Sequence, residues 1–323
     1  MSRLSYYKRI FSAYLTHKKS HLTFWHEVPE VNANFQKDTL SEYYMPFTAK
    51  ASYSGQFDST GIPLLDYHGR IGLQYNPIAI AQYGLGHFNL FCRTGKQEHR
   101  RKFLSVADWL VAHLELNPSG LWVWNHYFDW EYLSPLKAPW YSALAQGQGI
   151  SLLVRSHADT HNDMYLNAAQ RAFEAFLKPM DQGGVVYKDS DGNTWLEEYI
   201  VSPPTHILNG FIWASWGVYD YYLATGEPRA EKVFEKAIRT LVANIRHYDV
   251  GFWSLYELSG TRLKMVASTF YHSLHIVQLT VLQLLTGESV FRIYAERWAG
   301  YYKSRMKQTA AMGYKALFKL CYY

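Results

Sequence analysis

The chain has 323 residues, of which 48% are hydrophobic and 17% aromatic, with 27 Tyr and 11 Trp. That is apolar mass enough for one large domain or two modest ones. The formal charge of +5 suits an anionic polymer but falls short of a nucleic-acid binder, and two cysteines, Cys92 and Cys321, allow neither a disulfide framework nor a cysteine metal site.

The first segment, "MSRLSYYKRIFSAYLTHKKSHLTF", is basic and aromatic and reads as a solvated or partner-packing helix. Its longest apolar run, Ile10 to Leu15, is broken by Ser12, so no signal-peptide core is read there. No run reaches the ~18 apolar residues of a membrane span. A cytoplasmic location is therefore favoured. Next comes "ASYSGQFDSTGIPLLDYHGRIGLQ", read as β-hairpin. Residues 1–75 are thus expected to form an N-terminal helix and β-hairpin extension, and 76–323 one helical domain.

A quasi-repeat organises the rest. Thr-Gly occurs at Thr94, Thr225 and Thr286, with a weaker relative, "THND", at Thr160, so the intervals are 66, 65 and 61 residues. Each turn follows a long apolar segment, such as "HILNGFIWASWGVYDYYLA", and precedes an amphipathic one, such as "EPRAEKVFEKAIRTLVANI". In the latter, Val233, Phe234, Ala237, Ile238, Leu241, Val242 and Ile245 mark one helical face. Gly226 and Gly287 suit helix C-termini and Pro228 a first turn. The predicted fold is mainly α: an α/α barrel of about four helical hairpins, apolar helices inside and amphipathic ones outside. An open solenoid is the alternative. The connectors "SGLWVWNHYFDWEY", "GGVVYKDSDGNTWLEEY" and "GFWSLYELSGTRLKMV" read as β-hairpins, and all lead from an outer helix to the next inner one. They therefore gather at one end of the barrel with the inner-helix N-termini.

Polar groups converge at that end. Glu197, Glu198 and Tyr199 finish one connector and Tyr256 lies in the next. Tyr271, His272 and His275 open the fourth inner helix, Asn209 the third, Gln146 and Gln148 the second, and Gln82 and Tyr83 the first. Ionisable and amide groups at the start of otherwise apolar helices are candidate site residues, and helix N-termini favour an anion. Strand alternation sends the two glutamates to opposite sides, which leaves one of them solvated. His272 and His275 lack a third ligand and are read as core or substrate-contacting histidines. "DSDGNT" from Asp189 lacks the Gly and Glu of a calcium loop and reads as a hairpin turn.

These residues carry a resemblance. "WLEEY" and "LNGF" between Trp195 and Phe211 resemble the signature of the D-glucuronyl C5-epimerase family, which acts on heparan sulfate and heparin precursors. "YNPIAIAQYGLGHF" from Tyr75, "WYSALAQGQGISLLVR" from Trp140, "LYELSG" around Tyr256 and "YHSLHIVQL" from Tyr271 are similar to further family blocks, in the same order. The likeness spans roughly residues 60 to 303 and implies an α/α barrel and a homodimer. Vertebrate members carry a β-rich domain after the "AQYGL" block. Here Arg93-Thr94-Gly95 runs straight into a helix, so this chain resembles a compact microbial version without that domain's calcium site. The family places Arg three residues after the tyrosine matching Tyr256. This chain has Ser259 there and Arg262 further along.

What the resemblance implies is C5 epimerisation of D-glucuronate in an anionic, heparosan-like polysaccharide, with no cofactor and no metal. Removing and returning the proton beside a carboxylate needs two proton-transfer groups on opposite faces of the ring. By resemblance these are Glu198 and Tyr271, supported by Tyr199 and Tyr256. Asn209, His272, Gln146, Gln148, Tyr83 and Arg262 are the expected substrate contacts. A polysaccharide lyase, which shares the first step, and a glycoside hydrolase remain open. The hydrolase would need a second carboxyl beside Glu198, from Glu197, Glu131 or Asp129. A binding module without catalysis is a third reading.

Overall fold

A computed structural model describes residues 24–25, 28–130 and 132–322. The segment expected to form an N-terminal helix lies almost wholly outside these residues.

Four helical hairpins follow one another. The inner helices are α1 (Pro77–Thr94), α3 (Ala143–Thr160), α5 (Leu208–Thr225) and α7 (Thr269–Thr286). Each leads to an outer helix: α2 (Gln97–Ala112), α4 (Asp163–Phe173), α6 (Pro228–Asn244) and α8 (Ser289–Lys303). One device repeats at all four turns. The Thr94 hydroxyl donates to the Leu90 carbonyl (2.6 Å) and accepts from the Lys96 amide (3.3 Å). Thr160, Thr225 and Thr286 do the same with Ser156 and Asn162, Tyr221 and Glu227, and Leu282 and Glu288. One side chain thereby satisfies a helix-end carbonyl and opens the next element, between two groups that would otherwise be orphaned. The intervening residue is left-handed each time: Gly95, His161, Gly226 and Gly287, with φ of 66°, 56°, 68° and 76°.

Inner and outer helices divide as their sequences dictate. α5 is buried almost continuously from Leu208 to Tyr221, whereas α6 buries one face, Ala230, Phe234, Ala237, Ile238 and Leu241. α3 and α5 touch through backbone. A Cβ on Gly217 would lie 2.1 Å from the Gly147 carbonyl oxygen, so only glycines permit the approach.

The connectors are short antiparallel sheets. β1 (Gln56–Phe57), β2 (Pro63–Asp66) and β3 (Leu73–Gln74) form a three-stranded meander before α1. β4 (Glu115–Leu116) pairs with β5 (Trp122–Val123), and β6 (Val186–Lys188) with β7 (Thr194–Leu196) in the register Tyr187 to Trp195. Asp189 closes that last hairpin from within. Its carboxylate accepts from the Asp191 and Asn193 amides and from the side chains of Asn193 and Trp195. Bridges Asp249–Ser254 and Leu255–Val266 shape the connector before α7.

A further helix, α9 (Arg305–Tyr322), braces that connector from outside. The Tyr322 and Tyr314 hydroxyls accept from the Leu263 and Lys264 amides, and Lys315 Nζ donates to the Val266 carbonyl. Residues 41–47 seal the C-terminal ends of α1, α3 and α5, where Asn89 accepts from the Tyr43 amide and donates to the Met45 and Pro46 carbonyls. Tyr43, Tyr44, Met45 and Phe47 share the core with the barrel. Arg155 of α3 and Asp220 of α5 meet at 2.6 Å, both fully buried, with Tyr44 donating to Asp220 (2.7 Å) and Arg155 donating to the Ser41 carbonyl.

Candidate active site

The opposite end is where the site lies. After β7 the chain is pinned on both sides. The Glu197 amide donates to the Val185 carbonyl, and the Glu197 carbonyl accepts from Ala143 at the start of α3. Glu198 then turns onto the first turn of α5. A Cβ on Gly210 would fall 2.1 Å from Glu198 Oε2 and 2.8 Å from its Cβ, so the glycine of "LNGF" is what lets the carboxyl rest there. Neighbouring connectors tie into the same helix start. The Leu208 amide donates to the Tyr256 carbonyl (3.1 Å), and Gln278 Nε2 of α7 donates to the Asn209 carbonyl (3.0 Å). Ser268 caps α7 by accepting from the Tyr271 amide, which fixes where Tyr271 departs.

These ties surround one cavity. Glu198, Tyr199, Asn209, Tyr256 and Tyr271 line it together. The Tyr256 and Tyr271 rings meet edge to face at 4.9 Å, and Tyr199 sits edge to face with Tyr132 (4.7 Å) and Trp140 (5.7 Å). Trp25, Tyr67, Phe128, Trp130, Trp140 and Trp213 supply the aromatic lining. The Tyr67 hydroxyl accepts from Asn76, the residue that caps α1. Flat rings beside a few polar groups suit the alternating apolar and hydroxylated faces of a sugar.

The carboxyl in this cavity is perturbed. Burial, reinforced by the charge of Glu197, pushes Glu198 up to about 8, against a Tyr199 hydrogen bond that lowers it. Glu198 Oε2 and Asn209 Oδ1 have no hydrogen-bond partner among the described residues, though both side chains are buried. A carboxyl that gains and loses a proton near neutral pH is suited to proton transfer.

The neighbouring glutamate differs from expectation. Glu197 is not solvated. Alternation does send it to the other side of the connector, but that side is interior. Its carboxylate there accepts from both the backbone amide and the Nδ1–H of His206. Asp129 is exposed and bound to Lys137 and the Ala138 amide, and Glu131 lies outside the described residues. Neither Glu197 nor Asp129 lines the cavity.

Five expected contacts lie elsewhere. His272 is a bracket in the wall. Its Nδ1 accepts from the Ser254 amide, which leaves the proton on Nε2 to donate to the Trp298 carbonyl (3.0 Å). Its ring stacks on Trp253 at 3.7 Å, and burial lowers its pKa to about 4. His275 lies beside it, 3.0 Å from the Ser254 hydroxyl. Gln146 accepts from the Trp124 amide and donates to the Trp122 and Ala172 carbonyls, joining a connector to an outer helix. Gln148 is buried in the core beside Tyr43. Tyr83 packs against Phe57 and His87. Arg262 is exposed on its connector. None of the five lines the cavity. The aromatic residues that do line it were not among the expected contacts. Two signals pointed to them: the aromatic density of "WVWNHYFDWEY", and Trp213 standing one helical turn after Asn209 on α5. No group of three His, Cys, Asp or Glu side chains is placed to hold a metal ion among the described residues.

Comparison with known proteins fits this arrangement. Residues 117–300 match the family described as D-glucuronyl C5-epimerase C-terminus. The D-glucuronyl C5-epimerase of Caenorhabditis elegans is 29% identical over 231 residues, 66% of this chain and 37% of that one. An uncharacterised protein of Methanocaldococcus jannaschii is 29% identical over 199 residues, 60% of this chain and 63% of its own. The chain thus spans less than two thirds of either curated relative. Among solved structures, a sugar epimerase from a ruminal bacterium superposes with a TM-score of 0.55 at 12% identity, over 92% of this chain and 86% of that one, which shows a shared fold. The match from residue 117 to 300 takes in Glu198, Tyr199, Tyr256 and Tyr271 on the connectors and helices just described, and by it the chain belongs to the D-glucuronyl C5-epimerase family.

Proposed function

We propose that the chain epimerises D-glucuronate residues of a heparosan-like polysaccharide at C5, giving L-iduronate. The observation that carries this reading is the buried Glu198 carboxyl, with an unbonded oxygen, sharing an aromatic cavity with Tyr199, Tyr256 and Tyr271.

Each element of the cavity has a task in that reaction. The aromatic rings hold the sugar by its apolar faces. In this reading Glu198 and Tyr271, which both line the cavity, act on C5 from opposite faces. One removes the proton, and the electron pair of the broken C–H bond moves into the sugar carboxylate. The other delivers a proton to the opposite face. The roles exchange in the reverse direction. Positioned proton transfer supplies about 10²–10⁴-fold. The remainder comes from stabilising the extra negative charge on the carboxylate oxygens, for which the Tyr199 and Tyr256 hydroxyls and the Asn209 amide are the nearby donors. Glu198 suits both directions because burial brings its proton affinity close to working pH.

Proton NMR of a glucuronate polymer incubated with the protein in D₂O tests this directly. Loss of the C5 proton signal together with new iduronate signals is the expected result. Unsaturated uronate with chain shortening would make the protein a lyase. Absence of exchange with both N-acetylated and N-sulfated polymers would overturn the proposal.

A further inference from the structure

The two proton-transfer groups depend on different helices, and one buried amide joins those helices. Tyr271 belongs to the first turn of α7, whereas Glu198 rests on the first turn of α5, beside Asn209 and Gly210. Gln278 lies seven residues after Tyr271, two turns further along the same face of α7. It is fully buried, and its Nε2 donates to the Asn209 carbonyl at 3.0 Å. The fold does not require this bond. Asn209 is the second residue of α5, so its carbonyl already accepts from the Trp213 amide one turn on. The other end of the amide is left over, since Gln278 Oε1 has no hydrogen-bond partner among the described residues. A buried side chain that brings a second donor to a satisfied carbonyl, and keeps an acceptor unpartnered, is costlier than an apolar one of its size. Gln82 and Gln148 are as deeply buried in α1 and α3, but neither is bonded to a residue that lines the cavity.

We propose that Gln278 is a positioning residue for this site: by tying α7 to the first turn of α5, it fixes how far Tyr271 stands from Glu198 across the bound sugar. The proposal rests on the reading of Glu198 and Tyr271 as the pair that work on opposite faces of C5. Such a pair makes a demand that a single acid or base does not. One group can lift the proton and return one to the face it left. Inversion occurs only when the second group is already within reach of the other face, so both must meet the same carbon at once. The other ties serve each group separately. Val185 and Ala143 pin the chain before Glu198, and Ser268 sets where Tyr271 departs. The Leu208 amide holds the start of α5 to the Tyr256 connector. The Gln278 bond holds it to α7 itself.

The fate of the lifted proton reads that separation. A glucuronate polymer is incubated in D₂O with the wild type and with Gln278→Met, which keeps the length of the side chain but neither donates nor leaves an oxygen unpartnered. NMR at early conversion follows the iduronate formed and the C5 deuterium in the glucuronate that remains. Both need proton removal, and only the first needs delivery to the opposite face. In Gln278→Met iduronate formation should fall roughly tenfold, the scale of a misplacement approaching 1 Å, while deuterium in glucuronate falls less. The ratio of the two products therefore drops. The melting temperature should equal or exceed that of the wild type, because the Asn209 carbonyl keeps its helical donor. A folded variant with the wild-type ratio overturns the proposal whatever its total rate, since a loss of active molecules scales both products alike. A variant that does not fold, or melts well below the wild type, overturns it too, because the amide would then be serving the fold. If the wild type exchanges no C5 proton, the proposed reaction fails and this role with it. Normal exchange in the wild type with an unmoved ratio in the variant counts against Gln278 alone.

Discussion

The two ends of the barrel bury charge in opposite ways. At the sealed end, Arg155 and Asp220 are fully buried and fully answered. Asp220 receives the guanidinium and the Tyr44 hydroxyl, and the guanidinium also reaches the Ser41 and Ser151 carbonyls. At the open end, Glu198 is buried about as deeply yet keeps an unbonded oxygen, over a glycine that leaves just enough room. Interior charge that serves the fold is matched donor for acceptor. Interior charge left short of partners is costly, and it persists where an incoming group will complete it. Missing partners alone do not mark the reactive carboxyl, since Glu257 is buried with neither oxygen bonded among the described residues and does not line the cavity; Glu198 is set apart because its unbonded oxygen belongs to a residue that does.

The largest effect should come from removing the reactive group. Glu198→Gln and Tyr271→Phe should each lower C5-proton exchange by roughly 10²–10⁴-fold, the range expected when a positioned proton donor or acceptor is lost. Their stabilities should part company with pH. The folded-state pKa of Glu198, about 8, lies above its ordinary value of 4.5, so the folded chain holds a proton that the unfolded chain releases. The stability linked to that proton is fully present below about 4.5 and is lost as pH rises through about 8. The loss is on the order of a few kcal/mol. Denaturant melts at pH 5 and pH 8.5 should show that decline in the wild type, and Glu198→Gln should flatten it. A Glu198→Gln protein with the wild-type slope would mean the carboxyl is not the buried, proton-holding group described above.

The sealed end should respond in the converse way. Asp220→Asn leaves the Arg155 guanidinium buried without its counter-charge, a change that typically costs about 3–5 kcal/mol. Below its lowered melting temperature, the variant should keep its exchange rate per folded molecule, because neither residue lines the cavity. Thermal melts and single-temperature kinetics measure the two separately. A fall in kcat at full foldedness would show that the ends are coupled.

How much of this was legible in sequence follows from how local each cause is. The hairpins were readable because the Thr-Gly turn and the apolar and amphipathic segments are each written within about twenty residues, at near-equal spacing. Connector order brought Glu198, Tyr199, Asn209, Tyr256 and Tyr271 to one end, but it brought Gln146, Gln148, Tyr83 and His272 there too, and only the family resemblance singled out Glu198, Tyr199, Tyr256 and Tyr271. Other assignments depended on contacts that no local pattern specifies. Alternation put Glu197 opposite Glu198 but said nothing of His206 waiting on that side, nine residues on. A polar residue in an apolar helix can face the cavity or hold the wall. His272 and Gln146 hold the wall, because the Trp298, Trp122 and Ala172 carbonyls come from elements distant in sequence. α9 carries no Thr-Gly signal and falls outside the repeat, so its bracing of the Tyr256 connector was not readable.

Gly210→Ala sharpens the comparison with a smaller change. The added methyl would lie 2.8 Å from Glu198 Cβ and closer still to Oε2, so the side chain must rotate and the connector backbone at Glu198 must shift away from the first turn of α5. Exchange should fall roughly tenfold or more, the scale expected of a misplacement approaching 1 Å. The sealed end and the global fold should be unaffected. Because Glu198 then moves toward solvent, its NMR titration midpoint should also fall toward the ordinary carboxyl value. A Gly210→Ala variant with the wild-type rate and midpoint would show that the carboxyl does not depend on that space.

The smallest effect lies at the four turns, three of which carry Gly at the left-handed position and one His. Gly95, Gly226 and Gly287 take the left-handed conformation freely, whereas His161 holds φ 56° with a Cβ and with its side chain exposed. His161→Gly should therefore stabilise the chain by about 0.5–1 kcal/mol, the strain relieved slightly exceeding the extra unfolded-state freedom. Gly226→Ala, where a Cβ meets nothing within 4 Å, should destabilise by about as much through backbone conformation alone. Both should leave exchange unchanged, since the turns lie away from the cavity. Paired denaturant melts decide it. If His161→Gly were neutral or destabilising, the second turn would be held by something other than the Thr160 hydroxyl and a left-handed residue, and the four turns would not be one repeated device.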